Sequence, residues 1–417
     1  MYSAKAGLDP TGEDMRQKTA LISGAGIAGP AAAYWLNAAG WRTTIVERAP
    51  ALRSGGYVID FWGLGFDLAE RMGLRESIEN VGYHMKEVRI VGDHGERLAG
   101  FGVSVFDALT GGRFITLPRS ELSRLVLEGA TPPTNVRFGD EVVALAQDAD
   151  GADVTFASGA AGRYDLVVGA GGLHSGVRRL AFGPDEQFEK PLGYAVAAFE
   201  ADGYEPRDPD VYMMYGRPGR MIGRFTLHAD RCLFLFIFAF AGELPDTLDA
   251  QKSLLSSIYG KDGWEAPQIL QRLAASEALY LDRVSQIIAP AWSKGRVVLL
   301  GDAAFCVSLL AGQGSALAMV AAHVLAGELA RSGDRIDEAL ASYERVLRAY
   351  VSTKQAGAVR FAGAFAPRTS FGVWFRNLVM NALAIPGVAR FAVGREITDR
   401  LELPDYPLAP PLAEASR

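Results

Sequence analysis

"TALISGAGIAGPAAAYWL", residues 19–36, decides the fold. Thr19 to Ser23 is a short, mostly apolar run of the kind that forms a buried strand. Gly24, Ala25, Gly26, Ile27, Ala28 and Gly29 then spell G-x-G-x-x-G, and an alanine-rich helix over 28–39 ends at Gly40. Placed between strand and helix, the first glycine permits a tight turn and the second lets the backbone approach a pyrophosphate. The third lets helix and strand pack closely. Pro30 sits in the first helical turn, where its missing N–H is tolerated. Thr43 to Val46 reads as the next strand, and Glu47 follows it, 23 residues after Gly24. An acid there accepts hydrogen bonds from ribose hydroxyls and favours the unphosphorylated ribose of FAD or NAD over that of NADP.

Two later segments belong to the same nucleotide-binding core. "DLVVGAGGLHSGVRR", 165–179, is a second strand-and-glycine turn. "GRVVLLGDAAFCVSLLAGQGSALAMVAAHVLAGELA", 295–330, ends a buried strand in Gly301-Asp302 and feeds a long helix through Gly312, Gln313 and Gly314. Asp302, at the end of its strand, is placed to bind a hydroxyl-bearing chain. Between these segments lie strand-like runs rich in Phe, Tyr and Met: 194–199, 211–215, 221–226 and 232–240. The expected architecture is therefore α/β, a Rossmann-like cofactor-binding domain with an inserted β-sheet substrate domain and a C-terminal helix. The expected divisions are 1–17 as a disordered extension, 18–72, 103–185 and 284–365 as the cofactor-binding domain, and 73–102 and 186–283 as the sheet domain. Residues 366–417 form a helical segment and tail.

Composition narrows the function. A net charge of −6 argues against a nucleic-acid binder. The N-terminus lacks the apolar core of a signal peptide. Residues 371–393 are broken by Arg376, Asn377, Asn381, Pro386 and Arg390, which makes a poor membrane span and favours an amphipathic helix packed on the body. Cys232 and Cys306 have no metal-type spacing and read as reduced thiols of a cytoplasmic protein. The five His form no metal or triad spacing, so no metal and no protein nucleophile are expected.

Taken together, the three motifs resemble the FAD-dependent aromatic hydroxylases, flavoprotein monooxygenases of the para-hydroxybenzoate hydroxylase fold. The likeness runs from about residue 18 to 365. "SGGYVIDFWGLGFDLAERMGL" and the C-terminal helical tail look most like the bacterial branch that includes tetracycline-inactivating monooxygenases. The resemblance implies that Glu47 holds the adenosine ribose and that Arg48 lies along the adenine. It implies that Arg119 reaches the FAD chain, that Asp302 binds the ribityl or pyrophosphate end, and that Gly312 to Gly314 face the flavin. It also implies that Asp60 approaches the ring from the other side and that Arg53 serves NADPH or NADH.

The implied reaction is hydroxylation or other oxygenation of an aromatic or polycyclic, polyketide-like substrate by a monomer or homodimer. NAD(P)H and O₂ drive it through a flavin C4a-hydroperoxide. Met213, Tyr215, Phe225, Phe234, Phe236 and Phe238 are candidates for the substrate pocket. Arg217, Arg220 and Arg224 are either solvated edge charges or contacts for an anion.

The sequence departs from the family at Gly171, where an Asp that contacts FAD and the pyridine nucleotide is usual, and at Phe305-Cys306 and Leu310. Loss of the carboxylate predicts weakened NAD(P)H use. It leaves open a non-redox FAD-containing cyclase or isomerase of natural-product biosynthesis, or a flavin-binding protein without turnover.

Overall fold

The computed structural model describes residues 16–52, 57–105, 110–130, 133–227, 230–385, 387–388 and 401–408. In chain order, β1 (Thr19–Ser23) leads through α1 (Ala28–Ala38) to β2 (Arg42–Glu47). Next come β3 (Val58–Trp62), α2 (Leu64–Arg71), α3 (Arg75–Val81), the hairpin β4 (Glu87–Val91) and β5 (Arg97–Gly102), β6 (Phe114–Pro118) and α4 (Arg119–Ala130). β7 (Asn135–Phe138) precedes a meander of β8 (Val142–Gln147), β9 (Ala152–Phe156) and β10 (Ala161–Tyr164), then β11 (Leu166–Gly169) and α5 (Gly176–Ala181). The long strands are β12 (Glu189–Ala201), β13 (Val211–Arg217), β14 (Arg220–Thr226) and β15 (Cys232–Ala239), followed by α6 (Leu248–Tyr259) and α7 (Ala266–Ala275). β16 (Tyr280–Ile287), β17 (Ser293–Lys294), β18 (Val297–Leu299), α8 (Asp302–Phe305), α9 (Gly314–Ser332), α10 (Ile336–Phe365) and α11 (Ser370–Ala382) complete the order.

β1 is apolar because it lies inside a sheet ordered β17-β18-β11-β1-β2-β7. It pairs in parallel with β2 on one side and β11 on the other, and Ala20, Leu21 and Ile22 are wholly buried. A parallel strand covered on both faces has no polar side to show. The three motifs thus end side by side, at the carboxyl ends of β1, β11 and β18. Such ends are where open α/β sheets bind ligands.

The aromatic strands form a second sheet, ordered β16-β12-β15-β14-β13-β4-β5. β16 runs from 280 to 287, through the boundary expected at 284, and pairs with β12. α6 and α7 cover one face through Leu255, Tyr259, Ile269 and Leu273. The other face turns toward the pair β3–β6 and the nucleotide-binding half. The sequence reading passes over β3, β6 and β16, whose runs mix polar and apolar residues.

Two glycines are fixed by close approach. Gly24 has φ +118°, and a Cβ on it would lie 2.5 Å from the Ala170 carbonyl oxygen. A Cβ on Gly29 would lie 1.9 Å from the Gly24 carbonyl oxygen. Gly29→Ala therefore forces the turn and α1 apart. We expect a loss of about 1–3 kcal/mol in the urea-unfolding free energy, whereas Gly40→Ala, with nothing within 4 Å, strains only its φ of +83°. Equal losses for the two variants would show that close packing is not what fixes Gly29.

Candidate cofactor and substrate site

The first turn is fastened by its own acid. The Ala25 N–H donates to Glu47 Oε2 at 2.9 Å, and the Ala49 N–H donates to Oε1 at 2.9 Å. The carboxylate is thereby oriented at the end of β2, with lone pairs left for a diol. Arg48, beside it, is exposed. Above Gly26 the space is open: the nearest atom a Cβ would meet is Arg119 Nη2, at 3.5 Å. Arg119 opens α4, and its N–H donates to the Tyr57 carbonyl at 3.1 Å. Its guanidinium is held above its usual pKa by the Tyr57 phenol and Asp302, against the effect of burial. Neither α1 nor α9 has a side-chain cap or an acid in its first turn. Their leading N–H groups therefore remain for a ligand, and the positive helix ends favour an anionic one.

Asp302 faces the start of α9: a Cβ on Gly314 would lie 3.4 Å from its Oδ1. Burial raises the pKa of Asp302, and Arg119 opposes the rise. The Cys306 thiol beside it is pushed well up by burial and by Asp302, so it stays protonated. Asp60 lies in a cleft with Trp62 on one side and Gly312, Gln313 and Leu317 on the other. Thr116 Oγ1 donates to Asp60 Oδ1 at 2.6 Å, yet burial still holds this acid above the usual range. Asp60, Arg119 and Asp302 all keep accessible surface although protein crowds around them. Asp60 lines the cleft beside Gly312 and Gln313, and Asp302 stands at the start of α9 with Arg119 close enough to bear on its charge.

The sheet supplies the far wall. Tyr57 packs on Tyr280 with ring centroids 5.7 Å apart, and Phe225 lies against Tyr83 and Tyr212 at 5.3 and 6.0 Å. Burial raises the phenol pKa of Tyr57, Tyr212 and Tyr280, so these hydroxyls remain donors. Of the aromatic pocket candidates, Phe225 is on this face. Met213, Tyr215, Phe234, Phe236 and Phe238 are not: they point to the opposite face and form the core beneath α6 and α7. The physical reason is strand alternation, which sends successive side chains to opposite faces.

The three arginines are likewise committed elsewhere. Arg217 is bonded to Asp93, Arg220 to Asp262 at 2.5 Å, and Arg224 to Glu265 at 2.5 Å. Arg217 is an exposed edge charge paired with Asp93, as the solvated reading has it, whereas Arg224 is buried and Arg220 half-buried in their ion pairs. Arg53 lies outside the described residues.

The second turn joins the halves. A Cβ on Gly171 would meet nothing closer than Ser175 Cα at 3.3 Å, and its φ is −76°. Gly172, with φ +72°, is the position that needs glycine. A side chain at 171 therefore requires no unusual φ, but it requires Ser175 to yield by a few tenths of an ångström. His174 reaches across to β16, its Nε2 3.1 Å from Asp282 Oδ2. Arg178, fully buried, donates to the Leu173 carbonyl at 2.6 Å, the Ala303 carbonyl at 3.0 Å and Asp185 Oδ1 at 2.7 Å. Sequence reasoning missed Tyr57, Tyr212, Tyr280, Asp282 and the link made by His174. Only a correct assignment of sheet faces would have found the tyrosines.

The His174 pair makes a pH prediction. Its hydrogen bond to Asp282 raises the imidazole pKa above the usual value. A group whose folded pKa is raised contributes fully below its unfolded value, near 6.5, and the contribution fades as pH rises through the folded value. Replacing His174 by Gln should lower the melting temperature most near pH 6 and least near pH 9. A gap independent of pH would mean that the pair's charge does not bind the halves together.

Comparison with known proteins agrees with this geometry. The family described as FAD binding domain matches residues 17–355. An uncharacterized protein of Mycobacterium tuberculosis H37Rv is 37% identical over 345 residues, 81% of this chain and 92% of its own. The FAD-dependent monooxygenase asL6 of Sarocladium schorii is 33% identical, covering 93% of this chain and 97% of its own. Among solved structures, the tetracycline destructase Tet(51) superposes with a TM-score of 0.79 at 29% identity, over 94% of this chain and all of that one. The chain belongs to the FAD-dependent flavoprotein monooxygenases of the aromatic-hydroxylase type.

Proposed function

We propose that the protein oxygenates an aromatic or polycyclic small molecule, using NAD(P)H and O₂. The observation that carries this reading is the convergence of the first glycine turn, Arg119, Asp302 and the 312–314 loop beside Asp60, with Tyr57 packed on Tyr280 next to them. A pocket that is mainly aromatic with few polar anchors suits a flat ligand. The residues around the first turn fit FAD: open space over Gly26, an oriented Glu47, and Arg119 aimed at the place a pyrophosphate would take. Glu47 and Arg48 would hold the adenosine, Arg119 the pyrophosphate and Asp302 the ribityl chain. The α9 N-terminus at Gly312–Gly314 would stabilise negative charge on the ring. Bound FAD supplies the electron transfer and oxygen activation that no side chain here provides.

The chain's own part is to enclose and orient. β3 and the 312–314 loop shut water from one side, and the inner sheet face does so from the other. Tyr212, kept protonated by burial, would offer the substrate a hydrogen bond, while the Tyr280 hydroxyl donates to Asp282 at 3.5 Å and its ring supplies an aromatic face. The cofactor half would comprise the sheet around β1 with α9 and α10, and the substrate half the sheet around β12.

Three measurements test this. First, the FAD-loaded protein is mixed anaerobically with NADPH or NADH, with and without aromatic substrates, and flavin absorbance is followed. Bleaching is expected, and flavin that stays oxidised throughout would overturn the redox reading. Second, Arg119→Ala should weaken FAD binding by about 1.5–3 kcal/mol, tenfold or more in Kd. An unchanged Kd would remove Arg119 from the cofactor site. Third, Gly171→Asp should cost about 1 kcal/mol of stability through its contact with Ser175 and be reduced faster by NAD(P)H. An unchanged reduction rate would leave position 171 without the role assigned to it.

A further inference from the structure

Ser308 holds a backbone conformation that belongs to glycine. Its φ is +124° and its ψ +139°, and the residue is buried. A side chain makes that region costly, and it persists only where the surroundings impose it. Ser308 follows α8 and stands ahead of Gly312, in the segment that leads into α9.

The chain is pinned on both sides of this residue. Ahead of it, two carboxamides hold the backbone. Gln286, buried in β16, donates from Nε2 to the Val307 carbonyl at 2.9 Å and to the Gln355 carbonyl in α10 at 2.8 Å. Gln355 donates from its own Nε2 to the Cys306 carbonyl at 3.2 Å and to the Ile287 carbonyl at 2.8 Å. The Ile287 N–H gives the Cys306 carbonyl a further bond at 3.1 Å. Beyond Ser308, Leu310 is buried in one cluster with Met214, Met221 and Val284 of the inserted sheet. The Ser308 hydroxyl accepts from the Leu310 N–H at 3.2 Å. Hydrogen bonds fix 306 and 307, apolar packing fixes 310, and Ser308 takes up the torsion between them.

We infer that Gln286 and Gln355 are positioning residues: they hold Ser308 in its strained conformation and thereby aim the α9 N-terminus at 312–314 toward the flavin ring. The inference rests on the placement of that ring proposed above. Both carboxamides donate to backbone carbonyls, so their effect on the flavin is exerted through the loop. A helix N-terminus favours the negative charge that a flavin gains on reduction, and the benefit falls off within the first turn. Without the clamp, Ser308 relaxes toward an ordinary φ and draws the loop away from its place.

The experiment measures the midpoint potential of FAD bound to the full-length protein, poised with a chemical reductant and reference dyes. Reduction by NAD(P)H is not required, so failure of the proposed reaction is told apart from failure of this inference. Gln286→Met and Gln355→Met should each lower the affinity for reduced relative to oxidised FAD by about three- to tenfold. Tenfold corresponds to about 30 mV for a two-electron couple. The half-buried Gln355 provides a second, milder variant beside the buried Gln286. Ser308→Gly alone should leave the potential in place. Added to Gln355→Met, it should restore most of the loss, because glycine adopts a positive φ without strain. Potentials unchanged in both glutamine variants would overturn the inference. So would a fall that Ser308→Gly does not lessen, since the glutamines would then act on the flavin without the strained residue.

Discussion

A single buried guanidinium, that of Arg178, holds the nucleotide-facing segments together. It donates to Leu173 in its own turn and to Ala303 in α8, 125 positions away in the chain. The Asp185 carboxylate balances its charge. A buried cation is tolerable only when paired and hydrogen-bonded. The bonds it requires are those that set α8, and therefore Asp302, beside the second turn. That turn in turn abuts the first, through Ala170 against Gly24. The cofactor site is thus assembled from three separate stretches of chain by the parallel pairing of β1, β11 and β18, with Arg178 tying the second turn to α8.

Much of this was legible beforehand, and for identifiable reasons. β1 and its turn were readable because a buried parallel strand and a G-x-G-x-x-G turn each leave a local signature. The family motif at 312–314 carried enough context to be placed opposite Asp60. The faces of the inserted sheet were not legible. Its strands are apolar on both sides, one side packing on helices and the other facing the nucleotide-binding half, so the usual alternation of apolar and polar residues is missing. Phe234 and Phe236 looked as suitable for a ligand as Phe225, and only the pairing with α6 and α7 separates them. Arg217, Arg220 and Arg224 misled in the same way, since their acids come from 93, 262 and 265.

The glycine at 171 takes a different meaning once its backbone is known. Gly172 beside it is held by a left-handed φ, but residue 171 sits in an ordinary conformation, where a Cβ would press tightly on Ser175 Cα at 3.3 Å. Its backbone conformation does not demand glycine, and the packing constraint there is the tight contact with Ser175. His174, three positions on, faces Asp282, an acid of the sheet half.

The two-faced sheet also divides what the chain is free to change. Met213, Tyr215, Phe234 and Phe236 hold the helices in place, and altering them disturbs the core. Their immediate neighbours Tyr212, Met214, Leu233 and Leu235 point the other way. One position along a strand therefore separates a residue packed beneath α6 and α7 from one packed on the side that faces the nucleotide-binding half. New specificities are accessible through the inward set while the outward set stays untouched, so the scaffold permits diversification without first having to be made more stable.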